Sequence, residues 1–253
     1  VSLSTTDAVG HKYGPDSREI HDQILRLDRY LGAFLDSLFT LRDQKRIVIA
    51  VTGDHGVSPL PEVHSGRYPN RQARRVDLTE PTATLSAALI AAGVPDRAWA
   101  FDDGVFFVHN AADFDSARVN ADSVARAFAV VLRTVPGVLR ADMFTSFAKA
   151  NPARDKIARR WLHVFAPGGA AKMAVTLTPY SYWASTNYAT HGMPHDPDAN
   201  VPVLFLGAGV RRGAYRDEVR TVDMAPTLAA ILGIKPTERL DGVVLKKAVR
   251  GAK

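Results

Sequence analysis

The sequence predicts an α/β fold in which a mostly parallel sheet is flanked by helices and carries a small α+β insert. Residues 17–41 place apolar side chains at helical spacing, which predicts one long helix. Residues 46–52 (RIVIAVT) are apolar without alternation, as is typical of a central parallel strand. Residues 1–4 predict a short strand before the helix. Strand, long helix and strand form a βαβ unit, whose two strands are expected to be parallel.

The middle of the chain has a different pattern, and we assign residues 79–150 to the insert. Its predicted elements are a helix over 79–92, a hairpin over 99–108, a helix over 120–133 and a strand over 138–144. Residues 1–78 and 151–253 are assigned to the main domain. The elements predicted in its second part are a helix over 154–160, strands over 161–165, 171–178 and 201–206, and a helix over 224–232.

The amino-acid composition excludes several kinds of functional site. The chain has 253 residues, of which 46% are hydrophobic and 23% charged, so a buried core is expected. It contains no cysteine, which excludes disulfides, thiolate nucleophiles and cysteine-based zinc sites. The net charge of +6 favours anionic ligands, although no nucleic-acid motif and no membrane-spanning apolar run is present. Because the chain begins at Val1 inside a predicted strand, we expect it to be a fragment of a longer protein.

Three short motifs supply carboxylate and imidazole groups, the remaining ligand types for a transition metal. Asp7 and His11 lie four residues apart, Asp54 and His55 are adjacent within TGDHG, and His191 lies in THG. Each motif alone is more often an ordinary turn than a metal site. Two of the three follow predicted strands, and loops at the carboxyl ends of parallel strands converge. Together, the motifs favour a metal site.

Five segments, in this order, resemble the alkaline phosphatase superfamily: SLSTTDAVGHKYGPDS, AVTGDHGVSPLPE, ATHGMPHDPDANVPVLFLGAGVRRG, VRTVDMAPTLAAILGI and LDGVVL. The nearest branch is that of type I phosphodiesterases/nucleotide pyrophosphatases and zinc-dependent phosphomonoesterases. The resemblance implies the alkaline-phosphatase-like fold, with this chain as its C-terminal part. It also implies hydrolysis of phosphate esters through a covalent phospho-enzyme.

The resemblance assigns roles residue by residue. Asp7, His11 and His191 are implied to bind one zinc ion, and Asp54 and His55 a second. An intact active site would hold two zinc ions, of which this chain could hold one completely. The threonine or serine nucleophile is expected upstream of this chain, so the isolated chain is expected to be inactive.

Further residues near His191 in the sequence are candidates for roles beside the metal site. Asp196 is a candidate to orient His191. His195 is a hydrogen-bond donor behind the metal ligands, an adventitious ligand or a solvent-facing loop residue. The aromatic run LTPYSYWAS (residues 177–185) either packs in the core or forms a wall of the substrate cleft.

Alternative functions also remain open at this point. The first is a metal-binding or interaction domain without catalysis, and the second is a sulfatase or phosphonate hydrolase of the same superfamily. Expected partners are a phosphate-ester substrate and the missing N-terminal segment, with self-association if that segment is absent. A periplasmic or secreted location is suggested by the resemblance alone.

Overall fold

The computed structural model describes residues 1–71, 73–186 and 188–251. The helices in chain order are α1 (Thr5–Tyr13), α2 (Arg18–Leu41), α3 (Pro61–Arg67), α4 (Thr79–Ala91), α5 (Ala111–Ser116), α6 (Ala121–Leu132), α7 (Phe144–Phe147), α8 (Lys156–Val164), α9 (Asp196–Ala199) and α10 (Met224–Leu232). The strands are β1 (Val48–Thr52), β2 (Arg75–Val76), β3 (Trp99–Asp102), β4 (Val105–Val108), β5 (Val138–Met143), β6 (Ala171–Leu177), β7 (Tyr182–Trp183) and β8 (Val203–Gly207). These elements form two compact units, one of residues 1–20 and 57–199 and the other of residues 21–56 and 200–253.

The first unit is built on an antiparallel sheet with the strand order β3-β4-β6-β5. A tight turn at Asp103 and Gly104 joins β3 to β4, and both residues have positive φ angles of 44° and 75°. Two consecutive positive φ angles are typical of the type I′ hairpin turn, which suits the twist of antiparallel strands. The predicted hairpin is therefore confirmed.

Both faces of this sheet are covered, and the alternation of side chains along β6 explains why. Met173 and Val175 point into a cluster that also contains Phe128 and Leu132 of α6. Ala174 faces the opposite cluster, to which α7 and α8 contribute phenylalanine and tryptophan side chains. The core therefore lies in two layers, one on each face of the sheet.

The helix over 120–133 is confirmed as α6, where the Asn120 side chain accepts a hydrogen bond from the Ser123 N–H at 2.8 Å. The strand predicted over 161–165 is wrong, because these residues belong to α8 and the residue after it. Asp155 caps α8 by accepting a hydrogen bond from the Ala158 N–H at 2.9 Å. Ala158 and Trp161 then lie on one face of α8, which packs against the sheet together with Phe165.

The assignment of residues 79–150 to an insert stays a prediction. Three of the four strands of the sheet, β3, β4 and β5, lie within it, and the fourth, β6, lies beyond its predicted boundary.

The second unit contains β1 and β8, most of α2, and α10. The two strands pair in an antiparallel ladder that runs from Val48 opposite Gly207 to Thr52 opposite Val203. Val1–Leu3 have no regular structure, so the predicted strand over 1–4 is wrong. The α/β class is confirmed, but the mostly parallel pairing is not found among the described residues, where β2 and β7 form the parallel pair. The strand predicted over residues 1–4 was expected to pair with β1 in parallel. The described residues contain no such strand, and β8 pairs with β1 in antiparallel orientation instead.

The apolar faces of this second unit are largely open. Within the described residues, no side chain of α2, β1 or β8 is fully buried, and Phe34 and Leu204 are each nearly half exposed. Such faces usually mark surfaces that another polypeptide covers. No helix of the described residues has both the length and the apolar character needed to cross a membrane.

Candidate metal centre

Asp7 and His11 lie on α1, not in a loop after a strand as their motif predicted. Residues four apart in a helix point to the same side. The Asp7 Oδ1 atom lies 3.4 Å from the His11 Nε2 atom. Helix α1 therefore brings the Asp7 and His11 side chains together, as the predicted loop was expected to do.

His191 completes the group from the opposite end of the sequence. Its Nε2 atom lies 3.2 Å from His11 Nε2 and 3.8 Å from Asp7 Oδ1. Within residues 1–71, 73–186 and 188–251, this is the one group of three or more carboxylate and imidazole side chains close enough to hold a metal ion. Both histidines are half-buried and Asp7 is exposed, so the group is open to solvent on one side.

The donor atoms of this group fit a divalent cation. His11 Nδ1 lies 2.6 Å from the carbonyl oxygen of Ala189, which can only accept, so Nδ1 carries the proton. The neutral His11 ring then directs the Nε2 lone pair toward Asp7 and His191. Tetrahedral zinc with bonds of about 2.0–2.1 Å requires ligand atoms about 3.3 Å apart. Two of the three separations, 3.2 and 3.4 Å, match that requirement, and the third, 3.8 Å, is about 0.5 Å longer.

Asp54 and His55 follow β1 in the second unit. The Asp54 Oδ1 atom accepts a hydrogen bond from the His55 N–H at 3.1 Å. The His55 Nδ1 atom lies 2.9 Å from the carbonyl oxygen of Gly56, which fixes the same tautomer as in His11. His55 therefore also presents an Nε2 lone pair, 3.8 Å from Asp54 Oδ2. Their role as ligands of a second zinc ion stays a prediction.

The two residues proposed to assist His191 have other contacts. Asp196 accepts a hydrogen bond from Arg160 at 2.7 Å, and this guanidinium lowers the pKa of the Asp196 carboxyl. The His195 Nε2 atom lies 2.7 Å from the Leu177 carbonyl oxygen, so His195 holds its loop to the end of β6. Their assistance to His191 stays a prediction.

A buried carboxylate that no motif singled out, Asp198, lies on α9. Asp198 accepts hydrogen bonds from the Ser58 hydroxyl at 2.5 Å and the Met193 N–H at 3.0 Å. Burial raises the pKa of Asp198, while both donors act to lower it. Asp196 and Asp198 belong to one Asp-Pro-Asp run, and no feature of the sequence separates the exposed carboxylate from the buried one.

A cavity of about 290 Å³ lies in the first unit beside His191. Its wall includes Asp102, Asp103, Trp161, Phe165, Tyr182 and Trp183. The indole of Trp183 lies against the hairpin turn, because a Cβ atom at Gly104 would come within 2.5 Å of its ring. Tyr182 is buried, as core packing of the aromatic run predicts, and it also lines this cavity; the role of the run as a wall of the substrate cleft stays a prediction.

The α/β fold thus carries one carboxylate–imidazole group whose donor atoms lie close enough together to hold a metal ion. The sequence model of the type I phosphodiesterase / nucleotide pyrophosphatase family matches residues 1–104. Alkaline phosphatase PhoK of a Sphingomonas species is 31% identical over 264 residues, covering 96% of this chain and 45% of that protein. A protein of Myroides odoratus named calcium-transporting ATPase is 30% identical over 258 residues, covering 98% of this chain and 45% of that protein.

Among solved structures, the crystal structure of alkaline phosphatase PafA superposes with a TM-score of 0.85. The identity is 21%, and the match covers 98% of this chain and 47% of that one, so it establishes the fold. The chain thus spans less than half the length of these relatives. The chain belongs to the alkaline phosphatase superfamily.

Proposed function

We propose that this chain supplies metal ligands to a zinc-dependent hydrolase of phosphate esters. The observation that carries the proposal is the group of Asp7, His11 and His191, whose donor atoms lie 3.2–3.8 Å apart, near the separation of about 3.3 Å between ligands of one tetrahedral zinc ion. Three protein ligands leave a fourth position for water or substrate, the arrangement typical of catalytic rather than structural zinc.

Each side chain of the group has a defined task. The Asp7 carboxylate supplies negative charge, and the exposure of Asp7 keeps this side of the group accessible to an ester. The two imidazoles supply neutral nitrogen ligands, and the Ala189 carbonyl oxygen fixes the His11 ring in the tautomer that a metal ligand needs. A bound zinc ion would supply Lewis-acid stabilisation of charge on the phosphoryl oxygens.

Asp54 and His55 are proposed as ligands of a second zinc ion in the complete active site. His55 has the same arrangement as His11, with Nδ1 donating to a backbone carbonyl oxygen and Nε2 on the side of a carboxylate, 3.8 Å from Asp54 Oδ2. No residue of this chain is proposed as the nucleophile. The choice of phosphate esters is supported by the names of the relatives, which include alkaline phosphatases, and by the description of the matching family.

The cavity beside His191 is proposed to receive the alcohol part of the ester. Its aromatic walls would bury apolar surface of that group. The carboxylates of Asp102 and Asp103 would disfavour an alcohol that carries further negative charge.

Hydrolysis is tested in the full-length protein with the combined change Asp54→Asn and His191→Ala. We expect the hydrolysis of p-nitrophenyl phosphate and of bis-p-nitrophenyl phosphate to fall by at least about a hundredfold, since both metal positions lose a ligand. The control is His163→Ala, which removes an exposed histidine of α8. Unchanged hydrolysis in the double variant would refute the proposal. Absence of hydrolysis in a wild-type protein that binds zinc would favour the metal-binding domain without catalysis.

A further inference from the structure

The loop that carries His191 has no regular secondary structure, yet the residues beside His191 are held by specific hydrogen bonds. Ala189 is bonded to α1 twice. Its N–H donates to the His11 carbonyl oxygen at 3.0 Å, and its own carbonyl oxygen accepts from His11 Nδ1 at 2.6 Å. Ala189 therefore couples the position of the loop directly to His11.

Thr190, the residue before His191, is held by Tyr182 and Ser58. Its N–H donates to the Tyr182 hydroxyl at 3.1 Å, and its carbonyl oxygen accepts from the Ser58 N–H at 3.3 Å. The Tyr182 hydroxyl donates its proton to the Ser58 carbonyl oxygen through a short hydrogen bond. One hydroxyl thus joins two backbone segments, and it sits directly before the candidate ligand.

Burial makes these bonds hard to replace. Tyr182 is 3% exposed and Ser58 is 4% exposed, so water has little access to either. Burial also raises the pKa of the Tyr182 hydroxyl to about 12, so it keeps its proton at neutral pH. Without the hydroxyl, the Thr190 N–H would lose its acceptor and the Ser58 carbonyl oxygen would lose this donor.

The other side of His191 is held as well. The Met193 N–H donates to the Asp198 Oδ2 atom at 3.0 Å, and the Ser58 hydroxyl donates to Oδ1 of the same carboxylate. Ser58 therefore contacts both sides of the loop. His191 lies between two held positions, and the freedom left to its backbone is small.

We infer that the Tyr182 hydroxyl is the positioning group that holds His191 within reach of Asp7 and His11. This inference rests on the proposed metal site. Tyr182 acts through Thr190, whose peptide unit leads directly into His191, and does not itself touch the metal position. Its effect is therefore on the geometry and affinity of the site, beyond the packing that its ring provides.

The change Tyr182→Phe separates these two roles, because it keeps the ring and removes the hydroxyl. Tyr188→Phe is the matched control, since Tyr188 lies in the same loop with an exposed ring. The probe is Co²⁺ alone, whose visible absorption spectrum reports coordination geometry and whose titration gives affinity. Hydrogen exchange of a peptide covering residues 188–195, measured without metal, reports whether the loop is held.

In Tyr182→Phe we expect about ten- to hundredfold weaker Co²⁺ binding, the range seen when a partner behind a ligand is removed. We also expect an altered spectrum and faster exchange of the loop peptide. Tyr188→Phe should match the wild type in all three. If Tyr182→Phe binds Co²⁺ like the wild type, with the same spectrum, the positioning role is overturned while the metal site stands. If the wild type binds no Co²⁺, the metal site itself is overturned, and the positioning role with it.

Discussion

Replacing Gly104 with alanine adds a single atom, Cβ, at the contact between the hairpin turn and the ring of Trp183. The new Cβ atom would lie 2.5 Å from Trp183 Cζ2 and 2.7 Å from Cη2, where ordinary contacts exceed 3.4 Å. The indole must therefore move, and it lines the cavity beside His191. Overpacking of this kind costs about 1–3 kcal/mol.

A second cost arises from the backbone, because Gly104 has a φ of +75° and a side chain in the left-handed region costs about 1–2 kcal/mol. Gly168→Ala isolates this part. Gly168 has a φ of +85°, and a Cβ atom there would meet nothing within 4 Å. We expect Gly168→Ala to lower the free energy of unfolding by about 1–2 kcal/mol, and Gly104→Ala to lower it by about 2–5 kcal/mol.

Urea unfolding measures both values, and the wavelength of tryptophan emission in the native state reports the displacement of Trp183. Emission should shift in Gly104→Ala and stay unchanged in Gly168→Ala. Equal losses of stability in the two variants, with no shift of emission, would show that Trp183 is not seated on the turn and would refute the reasoning.

Three further predictions concern burial. Asp198→Ala should lower the free energy of unfolding by about 2–5 kcal/mol, because it leaves two buried donors without an acceptor. Asp196→Ala removes an exposed ion pair and should lower it by less than about 1 kcal/mol. Similar losses of stability for the two variants in urea unfolding would contradict this prediction. Burial, with Arg71 nearby, lowers the pKa of His64, so its contribution to stability is present above the unfolded pKa of about 6.5 and is lost as the pH falls below it. His64→Phe should therefore weaken the loss of stability between pH 7 and pH 5, and an unchanged pH profile would exclude His64 as a cause. Finally, the chain should self-associate through its open apolar faces, and Phe34→Glu should shift size-exclusion elution toward the monomer; a wild-type chain that already elutes as a monomer would contradict this.

Signals that act over a few residues predicted much of the first unit correctly. Asn120 ahead of an apolar periodic run predicted α6, and Asp-Asp-Gly between two β-rich runs predicted the β3–β4 hairpin. In both cases the secondary structure favoured by the local sequence is also the one that buries the apolar side chains. The segment Trp161–Phe165 failed because its aromatic residues also suit a strand, and the cap at Asp155 and the packing face decide for a helix.

Some residues of the candidate site could likewise be predicted from local sequence signals, and others could not. Asp7 and His11 were predicted as a pair by spacing, although the element that carries them was wrong, because a separation of four residues brings side chains together on a helix. His191 was joined to them through the resemblance, since no local signal relates residues about 180 positions apart. The roles of Ser58, Tyr182 and Asp198 depend on contacts between distant segments and have no counterpart in any short motif.

The most direct test of the account is the zinc content of the purified chain after dialysis, measured by elemental mass spectrometry. The wild type and the control His163→Ala are expected to retain about one zinc ion per chain, and His191→Ala to lose it, because two protein ligands are too few for a stable tetrahedral site. Zinc retained equally by all three proteins, or by none of them, would contradict the claim that Asp7, His11 and His191 form a metal site.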